Sequence, residues 1–390
     1  MTGQSGRQTR RQTTSARRRR LLARSALGAA ALALVLLLLY TVGPLGTHLQ
    51  RPGKPPLGYL RAPLGGRHYR VTAWSLGDAA SLRAAVAARA VDEVDFDWYH
   101  AQGDGTVRAQ NENLDLVAQA VNQGLNVFAT VTNSPSASAG FSHATAAAVL
   151  ASPAVRRRLI DNLVALVEEK GYDGIDLDWE ALKAADRDRF SAFVEDLAAA
   201  LHAKHRFLSL AVFPKTSEPG AWDNQISADY RRLGRAADEF KIMTYSFSGP
   251  WSSAGPQAPL EWVTRVLDFA AKCVPAKKIS MGVPLFGFDW HGGTAVAVTA
   301  KTGAALAARA GVAVERDAAS QEAIARFTDA NGVSHTVYYQ DKTALRAKLD
   351  HLRQHRPKLA GISIWVMGQE APGFWSLIEQ RLRAPLSSGQ

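Results

Sequence analysis

Eight strand-then-helix units, spread over about 310 residues from Tyr69 onward, predict an α/β fold of the (β/α)8 barrel class. Two further observations complete that expectation. An uncharged apolar stretch, Ser25 to Leu45, precedes the units and predicts one N-terminal transmembrane helix. A run with its own helix and hairpin, about residues 288–340, predicts a small α+β insertion between strand 7 and helix 7.

The units follow in order. Tyr69–Trp74 is β-rich, and a helix over Asp78–Ala90 is capped by Asp78 or Ser81. Val94–Trp98 is the second strand, with a turn at Gly103-Asp104-Gly105 and a helix at Leu114–Asn122. Leu125–Thr132 is the third. After a loop, Ser152-Pro153 supplies a cap and first-turn pair for a long helix to Lys170. The fourth strand runs into Asp173–Glu180 and precedes a helix at Asp186–Lys204. Phe207–Phe213 is the fifth strand, with a helix at Ala228–Ala237; Glu239–Tyr245 is the sixth, with a helix at Leu260–Ala271. Ile279–Leu285 is the seventh. The insertion then carries a helix near Gly303–Ala310 and a hairpin at Asp329-Ala330-Asn331-Gly332. A helix at Thr343–Arg356, the eighth strand at Leu359–Val366 and a helix at Phe374–Arg383 close the chain. The alternation also suits a doubly wound sheet. However, no Gly-x-Gly-x-x-Gly follows the first strand and no phosphate-cradling Gly-x4-Gly-Lys appears.

The chain has 390 residues and a formal net charge of +11, with 46 Lys and Arg against 35 Asp and Glu. Thirteen of the basic residues precede Asp78, the first acid, so the remaining 33 nearly balance the 35 acids. The excess belongs to the N-terminus, and a nucleic-acid partner for the main domain has no support. Arg17-Arg18-Arg19-Arg20 and Arg24 stand before the apolar stretch. Its roughly 18–21 residues at about 1.5 Å each cross a bilayer core of about 30 Å. Basic flanks keep the first end in the cytoplasm. The expected organisation is a basic cytoplasmic segment (1–24), a signal-anchor (25–45), a Pro/Gly-rich linker (46–68) and an extracytoplasmic domain (69–385) on a single-pass cell-membrane protein. The alternative is secretion after cleavage near Thr41-Val42-Gly43. Cys273 is the sole cysteine, and the ten His show no Zn-type sequence spacing, so neither a metal nor another cofactor is expected.

The run Tyr172-Asp173-Gly174-Ile175-Asp176-Leu177-Asp178-Trp179-Glu180 is the most informative stretch. Asp176, Asp178 and Glu180 alternate with Ile175, Leu177 and Trp179, so an extended chain projects three carboxylates from one face. The bland reading is a solvated acidic edge strand. Apolar flanks on both sides argue against it. Crowded and buried, such carboxyls have raised pKa values, which suits an enzyme that protonates a leaving group near neutral pH. Asp178 and Glu180 end strand four, Tyr245 ends strand six and Trp365 lies near the end of strand eight, the end where barrels build active sites.

Asp173-Gly174-Ile175-Asp176-Leu177-Asp178-Trp179-Glu180 matches the Asp-x-x-Asp-x-Asp-x-Glu signature of glycoside hydrolase family 18, the chitinase-like family. Met243-Thr244-Tyr245 is similar to its Met-Thr-Tyr-Asp, and Ile279–Trp290 and Gly361–Gly368 resemble its strand-seven and strand-eight segments. The likeness is strongest to the compact bacterial branch of spore-germination and cell-envelope hydrolases, including the His335–Tyr339 segment, and covers about residues 69–383. Ser246 departs from the pattern, standing where the family has Asp.

The resemblance implies a glycosidase acting on a β-linked, N-acetylglucosamine-containing polymer such as peptidoglycan, a chitin-like glycan or an exopolysaccharide. It also implies substrate-assisted retaining catalysis, an exception to the two-carboxylate scheme. Glu180 is the implied acid, Asp178 the partner of the acetamido group, Asp176 a neighbour sharing its proton, and Tyr245 a hydrogen-bond donor to that group. Trp365 is the implied floor of the sugar pocket. Asp173, as structural support, and Met243 complete the carried-over set. Trp98 and Tyr99 after strand two, and Trp290 in the insertion, are either sugar platforms or packing, and Trp74 is either pocket or core. Trp251, Trp262 and Trp375 are expected to be packing. The rival class is a non-hydrolytic glycan-binding or polysaccharide-export accessory protein on the same fold.

Overall fold

The computed structural model describes residues 69–383 apart from residue 357. The expected cytoplasmic segment, membrane span and linker lie outside the described residues. Among those described, no helix is long and apolar enough to cross a membrane.

In chain order the strands are β1 (Arg70–Ser75), β2 (Glu93–Ala101), β3 (Val107–Ala109), β4 (Asn126–Thr132), β5 (Gly174–Asp178), β6 (Phe207–Val212), β7 (Glu239–Ile242), β8 (Ile279–Pro284), β9 (Phe286–His291), β10 (Thr294–Thr299), β11 (Glu315–Arg316), β12 (Ala323–Thr328), β13 (Ser334–Tyr339) and β14 (Gly361–Trp365). Eight of them, β1, β2, β4, β5, β6, β7, β8 and β14, pair in parallel, and β1 pairs with both β2 and β14, so the sheet closes. This is the expected (β/α)8 barrel. Helices α1 (Ala79–Ala87), α2 (Leu114–Asn122), α3 (His143–Ala151), α4 (Pro153–Lys170), α5 (Arg187–Ala203), α6 (Asp223–Ser227), α7 (Tyr230–Ala236), α8 (Leu260–Cys273), α9 (Ala300–Ala310), α10 (Lys342–His355) and α11 (Phe374–Arg383) connect them.

Local chemistry explains the boundaries. Asp78 caps α1 through the Ser81 N–H, and Ser152 caps α4 with Pro153 at its first position. Gly171, in the left-handed region at φ 75°, ends α4 where a side chain would be strained. Gly174 opens β5 because a Cβ there would stand 2.2 Å from the Phe207 carbonyl oxygen.

Three expectations needed adjustment. α3 lies between the expected loop at Asn133-Ser134-Pro135 and the long helix, in a stretch for which no element was expected; Ser142 caps it, and Ala-rich sequence with little amphipathic contrast concealed it. β7 stops at Ile242 rather than Tyr245. The N–H groups of Thr244 and Tyr245 turn back to the carbonyls of Ile242 and Met243, and the Thr244 hydroxyl donates to the Gly282 carbonyl at 2.8 Å. The chain therefore curls at Thr244 and turns Tyr245 inward. Finally, β5 ends at Asp178, which leaves Glu180 just beyond it on a loop.

The insertion is a five-stranded antiparallel sheet, ordered β10-β9-β13-β12-β11, with α9 packed on one face through Val298, Ala307, Ala325, Val337 and Tyr339. It lies between β8 and β14 in sequence, as expected, and its hairpin turns at Asp329–Gly332.

Candidate active site

Inside the barrel the packing is polar, where branched aliphatics are usual. Glu93 and Asp95 of β2, Asp176 of β5, and Glu239 and Lys241 of β7 are all buried. Lys241 Nζ lies against Asp95 Oδ2, 3.2 Å from Glu93 Oε1 and 3.2 Å from Asp176 Oδ1. Burial alone would lower the Lys241 ammonium, yet the carboxylates of Asp176, Asp95, Glu239 and Glu93 hold it well above its ordinary range. Burial, then the neighbouring Glu239 charge, pushes Glu93 up to about 8 despite Lys241 and Arg70. Glu239 ends below the usual range: burial is outweighed by Lys241, Arg70 and the Ser280 hydroxyl 2.7 Å away.

Asp176 connects this interior to the barrel's upper end. Its Oδ1 accepts from Lys241, and its Oδ2 accepts from the Trp74 indole N–H at 2.8 Å and the Thr130 hydroxyl at 3.1 Å. Its influence on Asp178 is through charge. Burial pushes the Asp178 carboxyl well above the carboxylate range, and Glu180, Asp176 and Asp97 push the same way. Burial, then Asp176, raises Asp97 to about 7. Asp178 Oδ1 is buried without a hydrogen-bond partner among the described residues.

A cavity of about 830 Å³ lies at the carboxyl ends of the strands, lined by Asp178, Glu180, Met243, Tyr245, Ser246 and Trp365 among others. Glu180 is held by its backbone: its N–H donates to Asn133 Oδ1 at 3.0 Å and its carbonyl accepts from Asn133 Nδ2 at 2.7 Å. The side chain is thereby aimed without being hydrogen-bonded away. Burial raises its carboxyl to about 7. Burial, then the charges of Asp178, Glu180 and Asp176, keeps the Tyr245 phenol well above its usual range, so it stays a donor. Trp365 meets Trp74 edge-on, ring centroids 5.7 Å apart, and both indoles face the cavity.

Residues 101–370 match the family described as glycosyl hydrolases family 18. The chain belongs to that family of glycosidases. It is 31% identical over 284 residues to the putative sporulation-specific glycosylase YdhD of Bacillus subtilis (strain 168), covering 72% of this chain and 66% of that protein. It is 30% identical over 294 residues to the cortical fragment-lytic enzyme of the same organism, covering 73% of this chain and 66% of that one. The chain thus spans about two thirds of the length of these relatives. The crystal structure of a chitinase from Chromobacterium violaceum ATCC 12472 superposes with a TM-score of 0.74 at 28% identity, covering 81% of this chain and all of that one (100%).

Within this family 18 domain, the signature residues separate by position. Asp178 and Glu180 line the cavity, Asp176 lies behind them, and Asp173 sits at the opposite end of β5, where its Oδ2 accepts the Val127 N–H at 3.0 Å. Met243, Tyr245 and Trp365 come together with the two acids. Trp98 and Tyr99 do not line the cavity. Trp98 is buried and stacks on Phe96 at 4.4 Å, and the Tyr99 hydroxyl bonds Glu112 and Tyr172. Trp290 packs in the inserted sheet against Phe288 and Tyr338. Trp251 and Trp262, expected to be packing, both line the cavity, and Trp251 is 67% exposed.

Sequence reasoning missed Phe141, Trp222, Asn133, Lys215 and Lys241. Lys215 is buried, donates to the carbonyls of Ala228 and Gln225 at 2.6 and 3.2 Å, and pairs with Glu218 at 2.9 Å. It pins the loop that delivers Phe213, Pro214 and Trp222 to the cavity. For Lys241 a signal existed: Glu93-x-Asp95-x-Asp97 and Glu239-x-Lys241 place charges at period 2 inside apolar strands.

Proposed function

We propose that the domain hydrolyses a β-linked, N-acetylglucosamine-containing polysaccharide by substrate-assisted retaining catalysis, at the outer face of a membrane to which the N-terminal apolar segment tethers it. One observation carries the mechanism. The cavity's two carboxyls, Asp178 and Glu180, come from the same strand end, and no third acid among the described residues faces them across the cavity. A retaining enzyme with its own nucleophile needs carboxyls flanking the scissile bond about 5–5.5 Å apart. With both acids on one side, the substrate's 2-acetamido carbonyl supplies the attack. Glu180, raised to about 7, keeps a proton to give the glycosidic oxygen. As the positive oxazolinium forms, the Glu180 carboxylate left by that proton transfer balances its charge, and the Asp178 carboxyl in the cavity wall accepts the acetamido N–H. Tyr245 donates to the acetamido oxygen, and Trp365 lies under the pyranose.

The substrate class follows the names of relatives described as a cortical fragment-lytic enzyme and a chitinase. The tether is supported by charge order, since basic residues before an apolar stretch of membrane-spanning length hold the preceding end inside. An envelope glycan within reach of the linker is the preferred polymer.

The test incubates the full chain and its Glu180→Gln variant with N-acetylglucosamine oligomers and peptidoglycan glycans. Wild type should release β-configured reducing ends, and a thiazoline mimic of the oxazolinium should inhibit. Release no greater than the variant's on every polymer overturns the reading; binding by both without cleavage assigns the fold to glycan holding, the role Ser246 in the cavity wall would favour. Protease added outside intact cells should degrade the domain, and full protection there would remove the tethered topology.

A further inference from the structure

Away from the cavity, we propose that the inserted sheet binds one divalent transition-metal ion, Zn²⁺ or an equivalent such as Co²⁺, through Asp289, His291 and His335. Asp289 and His291 are two apart on β9 and so share a face. His335 on β13 is the direct cross-strand partner of His291, which puts all three side chains on that face. Their donor atoms lie within 4.8 Å of one another. His335 Nδ1 is 2.8 Å from Asp289 Oδ2, and His291 Nδ1 is 3.1 Å from the same oxygen. Ligand atoms around a tetrahedral Zn²⁺ with bonds of about 2.0–2.1 Å stand roughly 3.3 Å apart. The two Asp289–His distances are a few tenths of an ångström short of that spacing, and the two imidazole donors lie within 4.8 Å of each other.

A hydrogen-bonded pair explains part of this arrangement and leaves a remainder. His335 alone satisfies both Asp289 oxygens, at 3.0 and 2.8 Å. His291 Nδ1 is buried and, despite its closeness to Asp289, makes no hydrogen bond among the described residues. It is a buried ring nitrogen left without a hydrogen bond beside the Asp289 carboxylate, its ring stacked on that of His335 with centroids 4.6 Å apart. On the far side of His335, Nε2 lies 3.9 Å from Asp329 Oδ2, within reach of the outer carboxylate that commonly orients a metal-bound imidazole. Phe327 stacks on the His335 ring, centroids 4.6 Å apart, and holds its plane.

Two imidazoles and one carboxylate suit Zn²⁺, Co²⁺ or Ni²⁺ and not Mg²⁺ or Ca²⁺, which require oxygen ligands. Three protein ligands leave a fourth position for water, reached from the His291 side, which is 30% exposed. The opposite face of β9 carries Phe286, Phe288 and Trp290 in successive edge contacts, and Phe286 lines the cavity and meets Tyr245 at 5.8 Å. A metal here would tie β9 to β13 behind that aromatic row, bracing the cavity wall. Asp289 and His335 are 46 residues apart, so no local spacing announces the site.

The experiment uses untagged full chain, stripped with EDTA, dialysed and titrated with CoCl₂. Visible d–d bands of tetrahedral intensity should rise to one equivalent and be displaced by ZnCl₂, and Zn²⁺ should raise the melting temperature. His291→Ala, at the most exposed ligand, should lower affinity at least about tenfold and abolish the melting shift, by analogy with the cost of losing even an outer partner. Asp289→Asn should behave alike, and Glu180→Gln should titrate as wild type. The proposal is overturned if wild type shows no stoichiometric bands, if His291→Ala retains them unchanged, or if Glu180→Gln alone loses them.

Discussion

Lys241 holds its ammonium 3.2 Å from Oδ1 of Asp176 at a point with no exposure to solvent, while Trp74 and Thr130 hold the other oxygen. The cation thus fixes the carboxyl that sits directly behind Asp178. It also offsets part of the repulsion among Glu93, Asp95 and Asp176, which could not otherwise share one barrel interior.

Lys241→Met should accordingly destabilise the domain by about 3–5 kcal/mol at pH 7, the usual range for breaking a buried pair. Urea denaturation measures it. The loss should shrink toward pH 5. Without the cation, the stranded carboxyls have folded pKa values above their unfolded ones, so the variant gains stability as pH falls and they take up protons. An equal loss at both pH values would show that the ammonium acts by packing alone.

The pH profile of hydrolysis should fall on its alkaline side near pH 7. Glu180 acts while protonated, and burial raises its carboxyl to about 7, so rate is lost as pH rises through that value. Glu180→Gln should lower kcat about 10²–10⁴-fold, with KM much less affected, and should remove that limb from whatever rate remains. A wild-type rate that stays flat from pH 5 to 9 would exclude Glu180 as the acid.

Asn133 grips both backbone polar groups of Glu180 at 3.0 and 2.7 Å. Asn133→Ala should leave the acid present but loosely aimed. The expected loss is about 10²-fold in kcat, the scale on which small misplacements act, with the limb near pH 7 retained. Loss of the limb together with the rate would mean that Asn133 tunes the carboxyl rather than positions it.

Much of this was legible from residues 172–180, because alternation is a backbone property and four acids in an apolar strand are costly to bury. The barrel followed from the count of units, Trp365 from its place at the end of β14, and Tyr245 from its place just beyond β7. What stayed hidden depends on neighbours far apart in sequence. Trp98 and Tyr99 follow a strand as platform residues do, but β2 continues to Ala101 and buries both. Trp251 sits in a loop whose path no periodicity reveals, and it reaches the cavity. Asn133 lies 47 residues from the acid it positions. For Lys241 the period-2 charges of β2 and β7 were a signal, but its partners Glu93, Asp95 and Asp176 are fixed only when the barrel closes around it.

Ser246 lines the cavity at φ 61°, a left-handed conformation that Asp tolerates better than most residues. Ser246→Asp, restoring the acid of the family pattern, should therefore fold with a melting temperature close to wild type. It would add a third carboxylate to the cavity shared with Asp178 and Glu180. Like charge raises a neighbouring carboxyl, so the alkaline limb should move upward by as much as about one pH unit. Rates on N-acetylglucosamine oligomers measured from pH 5 to 9, for this variant beside Ser246→Ala, separate charge from size. A limb that moves upward in both variants, or downward in the Asp variant, would show that position 246 does not communicate with Glu180 through charge.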